Sequence, residues 1–393
     1  MTPFMFATGV ENSYPTIAGK VRVDEMEKCG HYARWREDLE LVRGLGLRYL
    51  RWGPPLYRVF EAPGRYDWFW TDEVMATIRR LYIEPILDLC HFGLPDWLGN
   101  FQNAEFPDYF AEYAAACAAR YRHVNYWTPI NEPLVTALFS ARYGWWNERL
   151  SSETGFARAC LNLARAGRLA MDAIRDVLPD AVFIQPESCE YTHPAEPDLI
   201  DQADLLNERR FLPLDLLYGR PLRDDMLAYL WENGMSAVEY DLVRTPPDRR
   251  NCILGVDYYA LNEHLVVRDG STGPAGDQLG LHAVARQYYE RYRLPLMHTE
   301  TNRSEREGAA RWLSKQWHSV LSLRAEGVPV LGFTWFSLTD QVDWDTALRE
   351  VAGRVNAVGL FNLDREARPV GDKYRELVRA WTATLDQRLR AAA

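Results

Sequence analysis

Eight short apolar runs, nearly all separated by amphipathic stretches, constrain the fold of this chain more than any other feature. The strand-like runs cover residues 4–9, 47–52, 84–92, 125–131, 181–187, 252–261, 294–300 and 328–336. Between them, stretches such as 33–46, 106–121, 156–178 and 307–327 carry apolar residues at helical spacing. Eight strands alternating with helices predict a (β/α)8 barrel of the α/β class.

A doubly wound open sheet is the structural alternative to the barrel. It is disfavoured because no predicted strand is followed by a glycine-rich phosphate turn of the GxGxxG kind. Linkers, low-complexity tracts and breaks in composition are not evident along the chain. We therefore expect one catalytic barrel domain over residues 1–393.

Charge and cysteine usage exclude several classes of function. The formal net charge of −10 disfavours nucleic acid, which calls for a basic surface. The six cysteines stand singly, as expected of reduced thiols in a cytoplasmic protein. With no CxxC, HxH or HExxH pair, we expect neither a metal nor another cofactor. The N-terminus lacks the features of a signal peptide, and no run reaches the roughly 18 apolar residues of a membrane helix. The oligomeric state is not predictable.

Polar and aromatic side chains stand at the predicted ends of most strands. Active sites in (β/α)8 barrels lie at the carboxyl ends of the strands. The residues there are Arg51, His91, Asn131, Glu132, Tyr259, Glu300 and Trp335. Each also has a structural interpretation, as an ion pair or as core packing, and Glu132 could instead cap the next helix. Their convergence at one barrel mouth favours a catalytic site.

Two glutamates across the barrel mouth suit glycoside hydrolysis. One carboxyl group donates a proton to the leaving oxygen, and the other acts as a nucleophile or activates water. Arg51 would keep Glu300 ionised, and Tyr259 could donate to it. Asn131 could hold the sugar 2-hydroxyl, and Trp335 offers an apolar floor for the sugar ring.

Several motifs resemble those of glycoside hydrolase family 1, the β-glucosidase family within a clan of retaining (β/α)8 enzymes. "WTPINEP" (127–133) resembles its W-x-T-x-N-E-P element, and "LGVDYYA" (254–260) resembles G-x-N-Y-Y. "GFTWFSLTDQVDW" (332–344) is similar to W-S-L-L-D-N-F-E-W. The resemblance implies that Glu132 is the acid/base and Glu300 the nucleophile. It further implies sugar contacts from His91, Asn131 and Trp344.

The chain departs from the family pattern mainly at sugar-binding positions. In the first strand region, Glu11 or Asn12 would have to replace a glutamine that grips two hydroxyls. Asp343 stands where the family has a glutamate for the outer hydroxyls, and Asp257 replaces an asparagine. Phe336 reads as an insertion after Trp335. These departures predict a divergent member for which simple β-glucosides are weak substrates.

The expected reaction is exo-hydrolysis of a small glycoside or oligosaccharide through a covalent glycosyl-enzyme. Two alternatives stay open from the sequence. A transglycosidase would use the same two carboxylates but deliver the sugar to another acceptor. A sugar-binding barrel without activity is disfavoured because Glu132 and Glu300 are both retained.

Overall fold

The computed structural model describes residues 3–391, and its centre is a closed barrel of eight parallel strands. The barrel strands are β1 (Met5–Gly9), β2 (Tyr49–Trp52), β3 (Glu84–Asp88), β4 (Tyr126–Thr128), β5 (Val182–Ser188), β6 (Cys252–Asp257), β7 (Leu296–Glu300) and β8 (Val330–Phe336). Each strand pairs with the next in sequence, and β8 pairs with β1 to close the ring. The predicted (β/α)8 fold is confirmed, and the open-sheet alternative is wrong.

Helices follow the strands and surround the barrel. The longer ones are His31–Gly44, Phe69–Arg80, Phe106–Arg120, Glu153–Val177, Ile200–Arg209, Gly280–Tyr292, Ala309–Ala325 and Pro369–Ala391. Shorter helices occupy Glu25–Lys28, Leu56–Val59, Pro133–Ala137, Leu212–Leu217, Asp224–Glu232 and Ala237–Arg244, and a π-helical turn spans Leu138–Arg142. Within residues 3–391, no helix is both long enough and apolar enough to cross a membrane.

Short strands outside the barrel build its loops. Thr16–Ile17 pairs with Val21–Arg22, Phe60–Ala62 with Arg65–Tyr66, and Gln341–Val342 with Val355–Asn356, while Tyr191–Pro194, Glu263–Val266 and Thr272–Pro274 form a three-stranded sheet. Several of these follow the carboxyl ends of barrel strands. They therefore surround the end of the barrel at which the polar residues lie.

The barrel interior is filled by apolar side chains below the site. Met5, Tyr49, Ile86, Ile184 and Met297 belong to one buried cluster contributed by five strands. A larger apolar cluster packs between the strands and the surrounding helices. Since side chains alternate along each strand, inward and outward positions are set by strand parity. The polar groups are left at the carboxyl ends, where the strands stop.

A buried ionic network ties the C-terminal part of the chain to the first barrel helix and β2. The Asp38 carboxylate accepts from Arg365 Nε at 2.8 Å and Nη2 at 3.0 Å, and lies 2.7 Å from His31 Nδ1. Trp52 Nε1 donates to His31 Nε2 at 3.1 Å. Burial acts to raise the pKa of Asp38, but its bonds to His31 and Arg365 outweigh burial and lower it.

Removing the centre of this network should destabilise the fold. We expect Asp38→Ala to lower the free energy of unfolding by about 3 kcal/mol, because Arg365 would be left buried without its carboxylate. Denaturant titration measures the change. The control is Glu37→Ala on the same helix, whose solvent-exposed ion pair with Arg34 is screened by water, so its removal should leave the free energy of unfolding nearly unchanged. Equal losses in both variants would contradict the importance of the network.

Candidate active site

Three carboxylates meet at the carboxyl ends of the strands. Glu300 is the last residue of β7, Asp257 is the last residue of β6, and Glu132 follows β4. Asp257 and Glu300 are register partners across the two neighbouring strands. An oxygen from each of the three residues lies within 4.8 Å of the others, and all three side chains are buried. Glu132 and Glu300 are brought together as expected, and Asp257 joins them.

Glu132 begins the Pro133–Ala137 helix but does not cap it. Its backbone is left-handed, with φ at 38°, an uncommon conformation for a non-glycine residue and one that is frequent at functional sites. Its side chain makes no capping hydrogen bond. Instead, both carboxylate oxygens of Glu187 accept from Leu134 N at 3.1 Å. The helix start is thus satisfied by another residue, and the Glu132 carboxyl is free for chemistry.

The protonation of Glu132 is biased toward the neutral acid. Burial raises its pKa well above the usual range, and the charges of Asp257 and Glu300 raise it further. A carboxyl group in such an environment keeps its proton to a higher pH than a free glutamic acid does, and it can act as a general acid.

Glu300 is held by donors on both oxygens. Arg51 Nη1 donates to Oε1 at 2.5 Å, and the Tyr259 hydroxyl donates to Oε2 at 2.7 Å. Arg51 is buried and also donates to Asn131 Oδ1 at 2.7 Å. These charge-assisted bonds fix the direction of the Glu300 carboxylate. Arg51 and Tyr259 stand where the sequence prediction requires them.

His91 and Asn131 form a hydrogen-bonded chain beside Arg51. His91 Nδ1 lies 2.7 Å from Asp88 Oδ2, and its Nε2 lies 3.2 Å from Asn131 Nδ2. Because Asn131 Oδ1 accepts from Arg51, the amide nitrogen must face His91. In that arrangement His91 Nε2 accepts and Nδ1 carries the proton toward Asp88. The second N–H of the Asn131 amide is left for a sugar hydroxyl.

Phe336, and not Trp335, lies against the catalytic residues. The Phe336 ring is parallel to His91, with centroids 6.1 Å apart, and the Arg51 guanidinium lies 5.2 Å from its centroid. Trp335 is fully buried on the other face of β8, in the core beneath the helices, and donates to Val358 O at 2.9 Å. Strand parity accounts for the difference. The structure therefore places Phe336, and not Trp335, where the apolar floor was predicted, because Phe336 is the inward-facing residue at the end of the strand.

Of the two residues predicted to replace the family's glutamine, Glu11 is the one that faces the site. Its pKa is raised by burial, and its charge is felt by both His91 and Glu300. Ser13 donates to Oε1 through its backbone N at 3.0 Å, and Gln341 Nε2 donates to Oε2 at 2.7 Å. The Asn12 side chain instead packs closely against the backbone of Gly53: a Cβ atom built on this glycine would lie 2.7 Å from the Asn12 amide nitrogen. Of the two predicted candidates, only Glu11 is placed among the catalytic groups.

Asp343 is committed to a loop. Lys28 Nζ, Ala352 N and Gly353 N donate to its Oδ2 at 3.0, 3.1 and 3.1 Å, and Arg354 N donates to Oδ1 at 2.8 Å. These bonds outweigh burial and lower its pKa to about 2. Four donors thus hold both oxygens of Asp343 in this loop, and its contact with outer hydroxyls stays a prediction.

Trp344 belongs to an aromatic cluster at the rim of the site. Its ring centroid lies 6.1 Å from those of Phe92 and Trp146, and its side chain is half-buried. Trp146 is fully buried and donates to Ala347 O at 2.9 Å. The Trp344 indole N–H has no hydrogen-bond partner within residues 3–391.

Two residues beyond the predicted set lie in the site. Asp257 and Phe336 were noticed in the sequence only as departures from a motif. Both are final residues of barrel strands, at positions with inward parity relative to the mouth. Applying the strand-end rule to every strand, and not only to residues that match a motif, would have selected them.

The fold and the carboxylate geometry together define a class: (β/α)8 barrels with facing carboxyl groups at the carboxyl ends of β4 and β7. The family model described as glycosyl hydrolase family 1 matches residues 11–212, just over half of the 393 residues. The chain belongs to glycosyl hydrolase family 1.

Curated relatives match shorter segments. Beta-glucosidase A of Thermotoga maritima is 31% identical over 160 residues, which cover 39% of this chain and 36% of that protein. Aryl-phospho-beta-D-glucosidase BglA of Bacillus subtilis is 34% identical over 116 residues, covering 27% of this chain and 24% of that protein. The chain thus covers little more than a third of the length of the first of these relatives.

Solved structures match over nearly the whole chain. The family 1 β-glucosidase from Thermotoga maritima superposes with a TM-score of 0.81 at 20% identity, covering 96% of this chain and 97% of that one. The same organism's β-glucosidase in complex with deoxynojirimycin gives a TM-score of 0.80 at 20% identity, with the same coverage. At this identity the likeness establishes a shared fold.

Proposed function

We propose that this chain is a retaining β-glycosidase in which Glu300 is the nucleophile and Glu132 the acid/base. The observation that carries the proposal is the approach of their carboxylate oxygens to within 4.8 Å. Retaining glycosidases hold their pair roughly 5 Å apart, whereas inverting enzymes leave room for a water between the two groups. The substrate class is a small glycoside or oligosaccharide.

The reaction has two steps. In the first, a Glu300 oxygen bonds to the anomeric carbon, the glycosidic bond breaks, and Glu132 gives its proton to the leaving oxygen. In the second, Glu132 takes a proton from water, the water oxygen bonds to the anomeric carbon, and Glu300 leaves as a carboxylate. Arg51 and Tyr259 hydrogen-bond to the two oxygens of Glu300 and orient it toward the anomeric carbon. Because the first step needs the acid form of Glu132, the rate falls as pH rises through its elevated pKa.

Around these carboxylates, we propose that Glu11, His91, Asn131 and Trp344 contact the glycone, with Phe336 as its apolar platform. The electrostatic interaction of Glu11 with His91 and Glu300 supports its role. For Trp344, the support is an indole N–H without a hydrogen-bond partner within the described residues. One catalytic domain over residues 1–393 accommodates every proposed contact. A cytoplasmic location fits the six buried cysteines, all of which are free thiols.

A panel of aryl glycosides tests the reaction. We expect hydrolysis of at least one β-glycoside, with the β-anomer as the first product in a proton NMR time course. Simple β-glucosides should be hydrolysed more slowly than the best substrate, because Glu11 and Asp343 differ from the glutamine and the glutamate that hold the sugar hydroxyls in the family. An α-anomer as first product would contradict the retaining mechanism. A β-glucoside turned over faster than every alternative would show that the departures have no effect on specificity.

A further inference from the structure

Asp257 is a buried carboxylate for which the proposed reaction has no use. It is fully buried at the end of β6, and neither of its oxygens has a hydrogen-bond partner within residues 3–391. The Thr299 hydroxyl is close enough to lower its pKa but makes no hydrogen bond with it. A buried charge without a partner raises the free energy of the folded state, so we expect this carboxyl group to bind either a ligand or a proton.

The cations around this carboxylate are already committed to other groups. Arg51 Nη1 donates to Glu300 Oε1 and to the Thr299 carbonyl, and Nη2 donates to Asn131. His91 is paired with Asp88. The carboxylates of Glu132 and Glu300 lie within 4.8 Å of Asp257. The cluster therefore has more carboxyl groups than cationic groups, and the Asp257 carboxyl group in it has no hydrogen-bond partner within residues 3–391.

The position of this unpartnered carboxyl group selects one part of the sugar. Glu300 must reach the anomeric carbon and Glu132 the bridging oxygen, so Asp257, within 4.8 Å of both, lies next to the anomeric centre. On the glycone side, the substituent nearest the anomeric carbon is the one on C2. A hydroxyl offers a single donor there, whereas an ammonium group offers three donors and a positive charge.

We propose that the site takes a 2-amino-2-deoxy-β-glycoside whose protonated amine pairs with Asp257. This inference rests on the proposed β-glycosidase function and specifies its substrate class. Burial, followed by the charge of Glu300, raises the pKa of Asp257 well above its usual range, so the empty site favours its protonated form. The ammonium group would displace that proton and donate hydrogen bonds to the two Asp257 oxygens, neither of which has a donor within the described residues. Acetylation of the amine removes the charge and should abolish the preference.

The test compares two 4-nitrophenyl β-D-glucopyranosides that differ only at C2, one with an amine and one with a hydroxyl. We expect kcat/KM to be about 10- to 100-fold higher for the amine, the range that a charge-assisted hydrogen bond supplies. Asp257→Asn, which keeps the shape and removes the charge, should lower this amine-to-hydroxyl ratio at least about tenfold. The control is Glu190→Gln, a partly exposed carboxylate beside the site, for which the ratio should stay within about twofold.

Calorimetric binding of the two matching methyl β-glycosides keeps the proposal testable in the absence of turnover. The amine should bind more tightly than the hydroxyl compound to the wild type, and this advantage should be lost in Asp257→Asn. Equal effects of Asp257→Asn on both compounds would overturn the inference, since a carboxyl group held neutral by its proton does not distinguish them. Hydrolysis confined to neutral β-glycosides overturns the inference alone. Absence of hydrolysis of every β-glycoside overturns the proposed function, and the binding comparison then decides the amine preference separately.

Discussion

Replacing Glu300 with alanine should lower kcat by roughly 10⁵-fold or more on every substrate. The variant lacks the atom that bonds to the anomeric carbon, so the quality of the leaving group cannot compensate. The loss is measured by the steady-state rate on an activated dinitrophenyl glycoside and on an alkyl glycoside of the same sugar. Removing Glu300 also breaks its buried ion pair with Arg51, so the variant should be less stable than the wild type, and its rate is measured at a temperature where circular dichroism shows it folded.

The matched variant Glu132→Ala should behave differently on the two leaving groups. A dinitrophenyl group departs without a proton, so partial activity should remain on that substrate, while the alkyl glycoside loses most of its rate. The covalent sugar adduct on Glu300 should accumulate, because no base activates water in the second step. Azide, a small nucleophile that needs no base, should accelerate turnover.

Mass spectrometry of the trapped intermediate decides the assignment. We expect the sugar on the peptide that contains Glu300. An adduct on Asp257, the third carboxylate of the cluster, would exchange the proposed roles of these two residues. Equal losses for both variants on both leaving groups would contradict the division into nucleophile and acid/base.

Replacing Arg51 with methionine should reduce both activity and stability. The guanidinium donates to Glu300, Asn131 and the Thr299 carbonyl, and methionine fills a similar volume without any donor. We expect a loss of about 3–5 kcal/mol in the free energy of unfolding, the usual cost of breaking a buried ion pair from one side. The fall in kcat should be at least about 100-fold, because Glu300 loses the donor that orients it.

Arg51→Lys separates charge from geometry. Lysine keeps the positive charge but cannot form the fork to Glu300 and Asn131. Denaturant titration should show a smaller loss of stability than for methionine, whereas kcat should still fall by about tenfold or more. An Arg51→Met protein with wild-type stability and rate would show that the ion pair has no role in either.

The barrel and its two facing glutamates were predictable because their signals are local. Strand and helix periodicities require only neighbouring residues, and eight alternations leave few folds in which every strand is paired. Glu132 and Glu300 follow from the rule that barrel chemistry lies where strands end. Arg51, His91 and Tyr259 were found by the same rule, since each lies at or just beyond the end of its strand.

Tertiary structure decided which of the neighbouring side chains face the site. Trp335 and Phe336 are adjacent in sequence, and the pleat of β8 sends them to opposite faces. Asp343 accepts hydrogen bonds from a loop nine to eleven residues further along the chain, which holds both of its oxygens. Neither outcome follows from a motif, because one depends on strand parity and the other on loop closure.

The sequence by itself determined the barrel, the family resemblance and the two glutamates, since these depend on periodicity and on short motifs. Whether a carboxyl group is catalytic, structural or unpartnered was decided only in three dimensions. Glu187 takes the helix N–H and so frees Glu132, while Asp257 is left without a donor beside Glu300. The physical reason is that the state of a buried carboxyl depends on which donors and charges surround it, and those groups come from strands far apart in sequence.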